Sequence, residues 1–191
     1  DCVDTCLIHW PDNKTNYLES LEILKDFKKK GFIKNYGLSN YEKLVSRKNL
    51  KKFKHYQLKF NLLSNENYSF IKNLPNSTQT SLYGLLAHGL LSGKYFNKKK
   101  FFKNDRRHRL HDFSDNFLKK NKKKINFLKK YSAELDIDLP QFCLALSYNL
   151  LPNANLIVGF KNEKQIQKNL DAVKLKIPSY VIENYKYNFL N

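Results

Sequence analysis

A histidine closes the first apolar run of this chain. Val3 to Ile8 is a short hydrophobic stretch of strand type, His9 ends it, and Pro11 stops the strand two residues later. Imidazole is the side chain whose ordinary pKa lies closest to neutrality, so His9 is equipped to donate a hydrogen bond or a proton to a substrate oxygen. The C-terminal ends of strands are where barrels of alternating strands and helices keep their chemistry. A packed, structural histidine is the competing reading of the same residue. Cys2, Cys6 and Cys143 are odd in number and lack CxxC spacing, so neither a disulfide framework nor a zinc site is indicated. Reduced cysteines in the cytoplasm are the simplest reading of them. Neither GxGxxG nor GxxxxGK followed by Ser or Thr occurs, which removes both common glycine-rich phosphate signatures.

The elements that must position His9 alternate in type. Asn16 with Glu19 begins a helix in the manner of a capping box, Tyr17, Leu21 and Leu24 line one face, and Lys28–Lys30 with Gly31 end it. Ile33 to Ser39 reads as a strand and Tyr41 to Leu50 as a short helix. In His55 to Leu63 the apolar Leu58, Phe60 and Leu62 alternate with Gln57, Lys59 and Asn61, which predicts a strand with its polar set turned away from the covering helices. A short helix at 67–73 and a strand from Thr80 to Leu85 follow. Leu86 to Asp115 has no clean period and reads as a long loop. Asn116 to Leu135 reads as one amphipathic helix. Asp138 then caps a helix with Pro140 in its first turn, apolar nearly all round and so expected to be buried. Leu156 to Val158 is a short strand, and 163–173 and 178–187 are helices. Alternation of this kind predicts parallel strands with right-handed crossovers. Five strands fit either an open doubly wound sheet or part of a (β/α)8 barrel.

Composition narrows the classes. With 191 residues and 41% hydrophobic content the chain is large enough for one domain with a real core. No apolar run approaches the roughly 20 residues that span a bilayer, and the acidic start, Asp1 and Asp4, does not resemble a secretion signal. Methionine is absent, which suggests a fragment. The net charge of +18 admits nucleic acid as a partner. Lysine is nevertheless spread over most of the helical segments, and the clusters Lys28–Lys30, Lys98–Lys100 and Lys122–Lys124 fall at a helix end, in a loop and on a helix. A solvated surface that favours an anionic cofactor is the preferred reading.

Five blocks occur in an order that resembles the C-terminal part of an aldo-keto reductase, from barrel strand four onward: VDTCLIHWPD at 3–12, KKGFIKNYGLSNY at 29–41, YQLKFNLL at 56–63, LYGLLAHGLLSGKY at 82–95 and LIVGFKNEKQIQKNL at 156–170. The resemblance implies a partial (β/α)8 TIM barrel, strands 4–8 with their helices and the N-terminal strands absent, forming a single domain over 1–191. It also implies NADPH-dependent reduction of an aldehyde or ketone without a metal. His9 matches the family histidine that orients the carbonyl. The family's catalytic Asp, Tyr and Lys match no residue here, so the chain alone is expected to be inactive.

The remaining matches concern binding. Ser39, Asn40 and Gln57 match the residues that hold the nicotinamide carboxamide, and Tyr83 the aromatic side chain stacked on its ring. Gly84 to Gly89, including Leu86, matches the turn that cradles the pyrophosphate, although Gly-Leu-Leu replaces the usual Ser-Pro-Leu. Lys94 and Arg107, with Arg106 as the alternative to Arg107, match cations in the loop that closes over the phosphates. Gly159 opens the last motif. Lys161 matches a position that holds the 2′-phosphate of NADP, and Gln165 and Asn169 match adenosine-binding positions. Lys168 stands where a glutamate is common. Trp10 matches a substrate-pocket aromatic residue. Two rival readings remain at this point: a non-catalytic relative that binds a nucleotide or a partner, and a basic nucleic-acid-binding protein.

Overall fold

A computed structural model of the chain describes residues 1–12, 14–96 and 101–190, so the Lys98–Lys100 cluster lies outside the described residues. The fold is α/β, with one five-stranded sheet in the order β1 (Val3–Ile8), β2 (Ile33–Ser39), β3 (His55–Lys59), β4 (Gln79–Tyr83) and β5 (Ala154–Ile157). The ladders that join β1 to β2, β2 to β3 and β3 to β4 are all parallel, as the alternation of strands and helices predicts. The expectation that N-terminal strands are absent does not stand. A strand, β1, begins at Val3 and is paired with β2 from Val3–Ile33 to Ile8–Leu38. Its β-branched Val3 and Thr5 favour the pleated backbone, and the Val3 N–H is satisfied by the Phe32 carbonyl at 2.9 Å.

The chain divides into two compact units. The first, residues 1–59, 67–83 and 153–155, contains β1 to β4, helix α1 (Tyr17–Lys29) and the short α2 (Tyr68–Lys72). Asn16 caps α1 by accepting the Leu18 N–H at 3.0 Å, Leu21 and Leu24 face the core, and Lys28 and Lys29 occupy the last turn. The expected helix at 41–50 forms instead as turns followed by a 3-10 helix, Arg47–Lys52, where Nδ2 of buried Asn49 donates to Tyr17 Oη at 2.8 Å. The core contains the fully buried Leu38, Phe53, Tyr56, Leu58 and Leu82. Strands β2 and β3 approach so closely at Gly37 that a Cβ there would lie 2.0 Å from the His55 carbonyl oxygen.

The second unit, 60–66, 84–152 and 156–191, contains α3 (Asp115–Lys120), α4 (Lys122–Glu134), α5 (Leu139–Leu150), α6 (Glu163–Ala172) and α7 (Ser179–Phe189). The single helix expected over 116–135 is two, broken at Asn121. That buried side chain turns back to donate to the Phe117 carbonyl at 3.1 Å. As its nearly continuous apolar surface implies, α5 is buried from Phe142 to Ser147. Tyr185 on α7 is fully buried and donates its hydroxyl proton to the Leu62 carbonyl at 2.5 Å, which ties the helix to the segment after β3.

Candidate active site

In the first unit, the C-terminal ends of β1 to β4 carry a connected polar network. His9 follows β1 directly, with its side chain exposed and its ring edge-on to Trp10 at 6.0 Å. Its backbone carbonyl accepts from Nδ2 of Asn40 at 3.2 Å, and the same amide group donates to Oγ of Ser39 at 2.9 Å. Nε2 of Gln57 approaches that oxygen at 3.4 Å, and the Asn40 N–H donates to the Gln57 carbonyl at 3.1 Å. Tyr83 completes the network by donating from Oη to Oδ1 of Asn40 at 2.6 Å. Trp10 is 57% exposed, while its carbonyl accepts from the buried Tyr41 hydroxyl at 3.2 Å.

The backbone explains why an asparagine stands at the centre. Asn40 has φ +65°, a left-handed conformation that asparagine tolerates better than most residues. Register explains the rest: Ser39 sits opposite Gln57, Gln57 opposite Ser81, and Lys59 opposite Tyr83, so neighbouring strand ends deliver their polar side chains to one place. Ser39 is buried, while Asn40, Gln57 and Tyr83 are half-buried. Burial pushes the Tyr83 phenol above its ordinary pKa, and nearby Glu42 adds to this. Tyr83 is therefore a neutral hydroxyl donor at physiological pH.

His55 was read from the sequence only as the start of a strand. Its Nε2 lies 2.8 Å from Oγ of Ser81, its Nδ1 is buried without a partner, and burial lowers its pKa and favours the neutral ring. The period-two pattern placed it on the same face as Gln57, which was the only signal available.

In the second unit, Gly84 to Gly89 forms a tight turn. Gly84, Ala87, His88 and Gly89 all have positive φ, at 74°, 47°, 54° and 90°. The Ala87 N–H is spent on the Gly84 carbonyl at 2.8 Å and the Gly89 N–H on the Leu86 carbonyl at 2.9 Å. Asn61, which sequence reasoning passed over, holds the turn by donating to the Gly84 carbonyl at 3.3 Å. Lys94 is exposed. Arg107 is not: its Nε donates to both carboxylate oxygens of Asp105 at 2.9 and 3.0 Å, while Arg106 points to solvent. Asp105 also escaped sequence reasoning, although an Asp two residues before an Arg is a legible signal.

At the start of α6, Asn162 caps the helix by accepting the Gln165 N–H at 3.0 Å, and Oε1 of Gln165 accepts the Lys161 N–H at 2.8 Å. Gly159 and Lys161 are exposed, and Asn169 is half-buried one turn beyond Gln165. Lys168 forms an ion pair with Asp138. Asp138 therefore occupies the cap position of α5 without capping it through its side chain. Among the described residues no cluster of three or more His, Cys, Asp or Glu side chains is placed to hold a metal, and no helix is long and apolar enough to cross a membrane.

The aldo/keto reductase family model matches residues 1–186, the first strand included. The chain belongs to the aldo/keto reductase family. Among curated members, the aldo-keto reductase YhdN of Bacillus subtilis (strain 168) is 29% identical over 136 residues, covering 68% of this chain and 40% of that protein. Among solved aldo/keto reductase structures, the glycerol dehydrogenase AKR11B4 from Gluconobacter oxydans matches all of this chain and 60% of its own, with a TM-score of 0.77 and 20% identity. A mutant of Gox0644 crystallised in complex with NADPH has a TM-score of 0.64 and 16% identity, over 97% of this chain and 58% of that one. These structural likenesses concern the fold, and the five-stranded parallel sheet is consistent with the (β/α)8 barrel of aldo/keto reductases. The chain spans 40% of that curated relative and about 60% of these solved chains.

Proposed function

We propose that the protein is an NADPH-dependent oxidoreductase that reduces an aldehyde or ketone in a small-molecule substrate, and that it works in the cytoplasm. The observation that carries this reading is the hydrogen-bonded set Ser39, Asn40, Gln57 and Tyr83 at the ends of three neighbouring strands, anchored to the backbone of His9. It is suited to a carboxamide: Ser39 Oγ and the amides of Asn40 and Gln57 supply donors and acceptors in a half-buried setting where a polar ligand group needs partners. The ring of Tyr83 offers a flat face beside them. NADPH, when bound, supplies the hydride.

The protein's own groups bind and orient. Asn40 fixes the position of the His9 backbone, and the exposed imidazole donates a hydrogen bond to the carbonyl oxygen as negative charge develops there. Trp10, next to it, forms an apolar wall for the substrate. In the second unit, the Gly84–Leu86 turn, Lys94 and Arg106 serve the phosphates. Lys161 takes the 2′-phosphate beside the Gly159 turn, and Gln165 and Asn169 take the adenosine. The proton donor is assigned to no residue of this chain.

The test separates binding from turnover. In the whole protein, His9→Ala is expected to lower kcat on the order of 10²–10³ with the NADPH dissociation constant nearly unchanged, whereas Asn40→Ala weakens NADPH binding. Wild-type turnover in His9→Ala contradicts the role of the histidine.

A further inference from the structure

The connection from β2 to β3 carries its charge on one side only. Lys43, Arg47, Lys48, Lys51, Lys52 and Lys54 place six cations in twelve residues, and all six are exposed. Glu42 is the one acid between Asp26 and Glu66, and it does not join them on the surface. Its Oε2 is buried with no hydrogen-bond partner among the described residues, and its charge is felt by the Tyr83 phenol. Among the described residues none of the six cations forms an ion pair. The same unit pairs its lysines elsewhere. Lys25 reaches Glu22 at 2.8 Å and Lys30 reaches Asp26 at 2.7 Å on α1, and Lys34 of β2 reaches Asp4 of β1 at 2.6 Å.

The backbone beneath these charges is fixed. Val45, Leu50 and Phe53 are buried, and the Phe53 ring packs edge-on against Tyr36 and Tyr56, each with its centre 6.2 Å away. Nδ2 of Asn49 donates to Tyr17 Oη at 2.8 Å, and the Tyr56 hydroxyl donates to the Leu50 carbonyl at 3.2 Å. The 3-10 helix Arg47–Lys52 repeats every three residues, so Lys48 and Lys51 stand on the same side. Like charges so placed repel, and the anchored backbone holds them together without a neutralising carboxylate. An external anion relieves that repulsion.

The other exposed groups of the segment identify the anion. Between 41 and 54 both aromatic rings, Tyr41 and Phe53, are buried, so neither is free to stack on a nucleic-acid base. The amide of Asn49 is buried and committed to Tyr17. Leu44 is 53% exposed beside Lys43, an apolar surface for which a phosphate backbone has no use. We propose that residues 43–54 form a docking surface for an acidic peptide segment of a partner protein. Arg47, Lys48, Lys51 and Lys52 meet its carboxylates, and Leu44 meets an apolar side chain of the same peptide. This surface is independent of the cofactor reading.

The probe is a fluorescein-labelled peptide of glutamates around a central leucine, followed by anisotropy on the full chain from low to physiological salt. An all-glutamate peptide and a duplex DNA are titrated beside it. The variants are the double reversals Arg47→Glu with Lys48→Glu and Lys51→Glu with Lys52→Glu, and the single Leu44→Ser. Lys122→Glu with Lys123→Glu on α4, in the second unit, is the charge-matched control. Circular dichroism reports the fold, and a reversal that fails to fold is replaced by the corresponding glutamine pair. Each double reversal within 47–52 is expected to weaken peptide binding about tenfold or more and to flatten its salt dependence, with little effect from the control. Leu44→Ser is expected to weaken the leucine-containing peptide and leave the all-glutamate peptide unchanged. No peptide binding in the wild type, or equal weakening by the control, overturns the docking surface. Duplex DNA bound more tightly than the peptide and weakened by the same reversals overturns the peptide as its occupant. A Leu44→Ser protein that binds both peptides as the wild type does overturns the apolar contact.

Discussion

The Tyr83 hydroxyl donates to Oδ1 of Asn40 at 2.6 Å, joining the end of β4 to the residue after β2. Asn40 in turn holds the His9 carbonyl, so one amide side chain ties three strand ends together. Replacing Tyr83 by Phe keeps the ring and removes only this bond. The expected loss of stability is about 1 kcal/mol, because the Asn40 oxygen is half-buried and loses its donor. A double-mutant cycle with Asn40→Ala, followed by urea unfolding, should give a coupling energy of at least about 0.5 kcal/mol. Strict additivity would show that the contact is not energetically real.

Gly37→Ala should be far more damaging than its small change in volume suggests. The added Cβ would sit 2.0 Å from the His55 carbonyl oxygen, a backbone atom of the adjacent strand that cannot rotate away. The strands must separate, and the ladder that sets Ser39 opposite Gln57 is lost with them. The expected outcome is destabilisation of several kcal/mol or no folded protein. A soluble Gly37→Ala protein with an unchanged melting temperature would contradict the packing described.

Acid should loosen the 101–109 segment through one group. Folded, the Asp105 carboxyl titrates near 2, and its ordinary value is 3.8. Its folded pKa is lowered, so its stabilisation is complete above about 4 and is lost as the pH falls towards 2. Protease cleavage within 101–109, followed with an acid-active enzyme from pH 5 to pH 2, should accelerate across that window in the wild type. Asp105→Asn should start faster and lack the step. The same pH profile in both proteins would remove Asp105 as the cause.

The strands at 3–8 and 33–39 were legible to the residue, because apolar and β-branched side chains and the Gly31 stop point the same way. Strand β3 was overextended to Leu63. Its alternation continues past Lys59, but Oδ1 of Asn61 accepts the N–H groups of Leu63 and Ser64 and turns the chain. Periodicity cannot register such a local competitor, and the break at Asn121 was missed for the same reason. Within the candidate site, Ser39, Asn40, Gln57 and Tyr83 were found through family resemblance. Their mutual bonds depend on parallel register, which no pattern along one strand contains. The Asp105 pairing that withdraws Arg107 from solvent was missed because composition treats neighbouring basic residues alike, although the acid two residues before Arg107 marks which arginine is held.

The proposed binding of a phosphorylated nicotinamide dinucleotide can be measured by fluorescence titration with NADPH and NADH, on the wild type and on Lys161→Ala. Lys161 is exposed beside the capped start of α6, and a lysine–phosphate contact is worth roughly 1.5–3 kcal/mol. Saturable binding with NADPH preferred is expected, with a rise of about tenfold or more in its dissociation constant in Lys161→Ala and little change for NADH. The absence of saturable binding to either dinucleotide, or equal affinity for both in both proteins, would contradict it.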